Sequence, residues 1–101
     1  MRGMIGGVSH EAVVGWAVFD NTDEPVALEV LIDGNLIGTA KAKEYRPHLS
    51  QVGVHRGGYV GFNLKVPRLK VGDSIECRVA ETGQSLIGSP RLVIEKDVGN
   101  K

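Results

Sequence analysis

Fourteen glycines and four prolines are distributed along the 101 residues, cutting the chain into short segments rich in Val and Ile. Helices of globular proteins average about 10–14 residues and need an unbroken apolar stripe. Here no window sustains the i, i+3, i+4, i+7 spacing, whereas alternation of period two recurs several times. Such punctuation predicts an antiparallel β domain.

The clearest strand places Val60, Phe62, Leu64 and Val66 on one face, alternating with Gly61, Asn63 and Lys65. Ile75, Cys77 and Val79 alternate with Glu76 and Arg78 in the same way, which directs the lone thiol inward as an unreactive core residue. Ala12 to Phe19 is apolar on both faces, as a central strand is. Val14, Trp16 and Val18 share one of those faces, and Trp16 is expected in the core. Val26 to Ile32 and Leu36 to Ala42 flank Asp33-Gly34, a strong signal for a tight hairpin. Met4 to Val8 adds an edge strand, and Ser85 to Ile94 gives one or two last strands broken at Pro90. These seven or eight strands predict an all-β, antiparallel two-sheet sandwich of immunoglobulin type, with a small closed barrel as the alternative. Val14, Trp16, Val18, Val30, Phe62, Leu64, Ile75, Cys77 and Val79 are its expected core.

A chain of this length makes one domain, residues 1–101, with an ordered core over about 3–95 and a frayed polar tail over 96–101. No apolar run approaches the ~20 residues of a membrane helix, so no membrane insertion is expected. Met1 to Val8 is too short for a signal peptide, which makes the protein cytoplasmic if the chain is full length, or else a module of a larger protein. Twelve Lys and Arg balance twelve Asp and Glu. That balance removes the simplest argument for nucleic acid as a partner. A single cysteine excludes an internal disulfide framework and a multi-cysteine zinc site.

Catalytic patterns are missing too. There is no Gly-x-Ser-x-Gly elbow, and Ser89, between Gly88 and Pro90, reads as a turn residue. His10, His48 and His55 fit no spaced metal motif, phosphate-binding glycine loops are absent, and Asp23 and Glu24 sit in a polar turn. The expectation is a protein that is not an enzyme, with no metal and no cofactor.

From Lys43 to Gly58 the periodicity disappears, and long irregular loops in compact domains commonly carry function. This loop also gathers charge. Residues 1 to 40 hold one cation, Arg2, against Glu11, Asp20, Asp23, Glu24, Glu29 and Asp33, a net charge of −5, so the remainder carries +5. Lys41, Lys43, Arg46 and Arg56 concentrate much of that excess, with His48 and His55 beside them. Either the loop attracts an anionic partner, or the acids of the first hairpin balance it within the fold or across a dimer. Tyr45 and Tyr59 bracket the loop and offer ring faces. The candidate ligand-binding residues are therefore Tyr45, Arg46, His48, His55, Arg56 and Tyr59, with Arg56 on an exposed turn beside Gly57-Gly58.

The series Val14-Gly15-Trp16-Ala17, Pro25-Val26, Ile32-Asp33-Gly34, Ile37-Gly38, Ala42, Arg46-Pro47-His48-Leu49, Gly61-Phe62 and Leu86-Ile87-Gly88-Ser89-Pro90 resembles a small bacterial β-sandwich module. That module accompanies glycosyltransferases, sulfotransferases and other proteins of surface polysaccharide metabolism. The resemblance covers about Gly3 to Val93 and implies a non-catalytic accessory module associated with carbohydrate. Similar modules usually carry an aspartate after Arg-Pro, where this chain has His48. An Arg-Pro-Asp turn held by internal charge-assisted hydrogen bonds would make Arg46 a loop-fixing residue, while His48 in that place would either weaken the turn or leave Arg46 freer to meet a ligand.

Two functions follow. One is binding of a glycan or polysaccharide, acidic glycans included, through loop 43–58. The other is a structural or interaction role, in which an exposed edge strand pairs with a protein partner or with a second copy in a homo-oligomer.

Overall fold

The computed structural model describes residues 1–53 and 55–98, apart from the side chain of His55. Eight strands form two four-stranded sheets. The first has the order β1 (Arg2–Val8), β2 (Ala12–Val18), β6 (Tyr59–Lys65) and β5 (Glu44–Tyr45), and the second the order β4 (Asn35–Lys41), β3 (Ala27–Ile32), β7 (Ser74–Val79) and β8 (Arg91–Leu92). All six strand pairs are antiparallel. Lettered in chain order, the sheets read A-B-E-D and C′-C-F-G, the arrangement of an immunoglobulin-type sandwich. Among the described residues, two short α-helices, α1 (Pro47–Gln51) and α2 (Glu95–Val98), lie outside the sheets.

The Asp33-Gly34 signal makes the turn it predicts, with positive φ at both residues (51° and 84°) as a type I′ hairpin requires. Between the sheets, Ile5, Val13, Ala17, Leu28, Val30, Phe62, Ile75, Cys77 and Val79 form one apolar cluster closed by Leu86 and Val93. Burial pushes the Cys77 thiol up to about 12, with the neighbouring Glu76 charge adding to the rise, so at neutral pH it stays a protonated, inert core group.

The face of β2 corrects the sequence reading. Val14 and Trp16 are only half-buried, and the inward residues are Val13, Gly15 and Ala17. Gly15 lies opposite Phe62 in the register, and a Cβ there would meet the Phe62 ring at 2.9 Å. The large ring of one strand thus takes the space the glycine leaves on the next, and Trp16 is turned to the other face. With apolar residues on both faces, periodicity alone had no means of choosing between them. Leu64 is half-buried against the core, and Val18 belongs to a second cluster with Leu49 and Val60, against which Trp16 packs.

Two further corrections concern regions read as irregular. The segment 43–58 contains strand β5 and helix α1. The tail expected to fray from Lys96 instead forms α2 as far as Val98; residues 99–101 lie outside the described residues. Asp97 anchors this helix, reaching back to accept the Ile94 N–H at 3.0 Å and pairing with Arg91 at 2.5 Å. Burial raises the pKa of its carboxyl, but the Ile94 N–H and the Arg91 guanidinium outweigh that and hold it below the usual carboxylate value. A depressed folded pKa stabilises the protein above the unfolded value of about 3.9 and is lost as pH falls through the folded one. Acid titration of Asp97→Asn should therefore show a weaker loss of stability below about pH 4 than the wild type shows. Identical acid profiles would contradict the assignment.

Candidate functional site

Strand β5 exists because β6 offers it a free edge: Glu44 registers with Gly61 and Tyr45 with Tyr59. Since Gly61 and Tyr59 are two apart, they share one face of β6, and the irregularity between Glu44 and Tyr45 aims both at that same outer face. Tyr45 and Tyr59 meet there with ring centroids 5.0 Å apart and planes at 44°, within the range of favourable aromatic pairs. Both rings remain open to solvent, at 47% and 53% exposure.

Arg46 holds this arrangement from the same outer face. Its guanidinium lies across Gly61, where a Cβ would stand 2.6 Å from Nε. It donates to the Phe62 carbonyl at 3.0 Å and the Tyr45 carbonyl at 3.3 Å, and it lies 3.6 Å from the Glu44 carboxylate. Its own N–H donates to the Gly58 carbonyl, and its C=O accepts from Leu49 and Ser50 to start α1 behind Pro47. Leu49 then covers Val18 and Val60. These donors go to β5, β6 and Glu44, so the anchor does not draw on the side chain at position 48. Arg46 is the loop-fixing residue.

The other candidates separate. His48 is exposed on α1. Arg56 does not stand free on its turn. At φ 72° it donates from Nε to the Tyr59 carbonyl at 3.1 Å and from Nη1 to the Asp23 carbonyl, tying the loop to the β2–β3 connection. The side chain of His55 lies outside the described residues. The structure thus brings Tyr45, Tyr59 and Arg46 together, with Arg56 touching their rear through the Tyr59 backbone. Internal pairing absorbs part of the charge asymmetry as well, through Arg78–Glu29 at 2.9 Å.

Two surface hollows lie elsewhere, and sequence carried no signal for either. A cleft of about 730 Å³ is lined by Phe19, Glu24, Pro25, Lys41, Val79 and Glu81 among others. A smaller groove of about 300 Å³ runs between Met4, Trp16, Gln84 and Ile87. Among the described residues no group of three His, Cys, Asp or Glu side chains is placed to hold a metal ion, and no helix is long and apolar enough to cross a membrane.

The fold and its exposed tyrosine pair define an immunoglobulin-type β-sandwich with an aromatic surface on one sheet. No protein-family model, curated protein or solved structure matches the chain.

Proposed function

We propose that this domain is a non-catalytic carbohydrate-binding module, associated with surface polysaccharide, whose platform is the Tyr45–Tyr59 pair. The observation that carries this reading is the pair itself: two exposed rings, 5.0 Å apart, fixed by strand pairing and by Arg46 rather than carried on a loose loop. An aromatic face with a polar rim suits the apolar C–H face and peripheral hydroxyls of a sugar ring. Preorganised rings also lower the entropic cost of binding. Exposed Lys43 supplies positive charge that favours acidic sugars, and His48 is exposed on the same segment.

A panel of neutral and acidic oligosaccharides, titrated calorimetrically against the protein, tests this. Tyr45→Ala and Tyr59→Ala should each weaken binding about tenfold or more, the loss of roughly 1.4 kcal/mol or more of contact energy, with the β-sheet circular dichroism unchanged. Binding that survives both substitutions, or no binding by the wild type across the panel, would contradict the reading.

A further inference from the structure

The outer face of the first sheet is laid out in rows across its strands. Met4 registers with Trp16, Trp16 with Gly61 and Gly61 with Glu44, so Glu44 ends one row. Tyr59 and Tyr45 belong to the next row, two residues along β6 from Gly61, or about 7 Å at the rise of a strand. Glu44 is the one carboxylate in its row. The other members offer a thioether, an indole and a bare backbone.

This carboxylate has a fixed neighbour. Its Oε1 lies 3.6 Å from Nη1 of Arg46, and that guanidinium is held across Gly61 by the Phe62 and Tyr45 carbonyls. At 3.6 Å the two charges attract without forming a hydrogen bond. The Glu44 side chain is 53% exposed, and among the described residues no hydrogen bond reaches its carboxylate. A carboxylate only accepts, at about four lone-pair sites. Those sites stand open beside the tyrosine rings.

We propose that Glu44 is the specificity-determining acceptor of this surface: when a sugar ring stacks on Tyr45 and Tyr59, its carboxylate takes hydrogen bonds from two adjacent free hydroxyls on the rim of that ring. This role rests on the carbohydrate reading of the same surface and names what the surface selects. Stacking tolerates many sugars, whereas the carboxylate demands two donors at neighbouring positions. Hydroxyl bonds to an ionised acceptor are short and roughly twice as strong as neutral ones, so the diol contact decides which ring binds. A sugar substituted at either hydroxyl, by a methyl group, an acetyl group or the next sugar of a chain, sets an acceptor against Glu44 and is disfavoured. The occupant is a pyranose whose vicinal diol is unsubstituted.

Nuclear magnetic resonance titration of the whole chain with the methyl glycosides of glucose, galactose and mannose, and with their monodeoxy analogues, tests this role. In the wild type, loss of either hydroxyl of the recognised pair should weaken binding about tenfold. Glu44→Gln keeps the size of the side chain and the pairing of β5 but exchanges an acceptor oxygen for a donor. It should bind the parent glycoside about tenfold more weakly, with the near-ultraviolet tyrosine signal unchanged, and should lose nothing further when the hydroxyl is removed. If Tyr45→Ala abolishes binding but Glu44→Gln binds the parent as the wild type does, or shows the same deoxygenation loss, the role of Glu44 is overturned and the tyrosine platform stands. If no glycoside binds, or Tyr45→Ala changes nothing, the platform itself is overturned and the role of Glu44 goes with it.

Discussion

Replacing Phe62 by Ala should lower the unfolding free energy by about 3–5 kcal/mol. Phe62 is 1% exposed, heads the fully buried side chains by volume, and fills the space between the sheets opposite Gly15. Collapse cannot heal the resulting cavity, because the residue facing it has no side chain to move in and Val13 and Ala17 on either side are fixed in the ladder with β1 and β6. Against the roughly 5–15 kcal/mol typical of a domain, such a loss takes much of the margin. For about 100 residues it corresponds to a fall in Tm of about 12 °C or more. Thermal denaturation followed by circular dichroism measures it. A Tm within about 2 °C of the wild type would mean that Phe62 does not occupy the core.

Arg46→Ala should cost about 2–3 kcal/mol and at the same time dismantle the tyrosine platform. The guanidinium donates to two backbone carbonyls of β5 and β6, and its removal leaves the part-buried Phe62 carbonyl without that donor. Arg46→Lys should rescue little, because one ammonium cannot span the Phe62 and Tyr45 carbonyls as the planar fork does. Gly61→Ala should act in the same direction from the opposite side. Its Cβ would stand where the guanidinium rests, forcing Arg46 out while leaving every β6 side chain in place. A shared loss of near-ultraviolet tyrosine signal in Arg46→Ala and Gly61→Ala, with the far-ultraviolet β spectrum retained, is the expected signature. Wild-type tyrosine spectra in both variants would show that the pair does not need Arg46.

These two residues also mark how far the sequence could be read. Phe62 lies in a strand whose alternation is clean, and both its element and its burial follow from period two. Asp33-Gly34 likewise dictates its own turn, because the constraint is local. Strand β2 is harder: Val13 and Val14 are equally apolar, and the choice between them depends on Gly15 meeting a ring that enters from a strand more than forty residues later. The candidate site was legible in its composition and hidden in its construction. Tyr45 and Tyr59 stand out as aromatic residues bracketing an aperiodic stretch, yet β5 has two residues and α1 has five, too short for any periodicity. Their contacts are long-range: β5 pairs along β6, and the Arg46 guanidinium reaches the Phe62 carbonyl, sixteen residues away. Arg56 shows a related limit: a neighbouring Gly-Gly pair speaks for an exposed turn, and no local signal shows that its guanidinium reaches the Asp23 carbonyl, thirty-three residues back.

The central claim is that Arg46 holds Tyr45 and Tyr59 as a rigid surface for a sugar. Amide chemical-shift mapping of the labelled protein with the tightest-binding oligosaccharide tests it most directly. The account predicts perturbations concentrated at Glu44 to Arg46 and Tyr59 to Gly61, lost in Arg46→Ala while the Phe62, Cys77 and Val79 amides stay dispersed. Perturbations centred instead on the cleft around Phe19, Glu24 and Lys41, or on the groove beside Trp16 and Ile87, with the tyrosine amides unmoved, would contradict it.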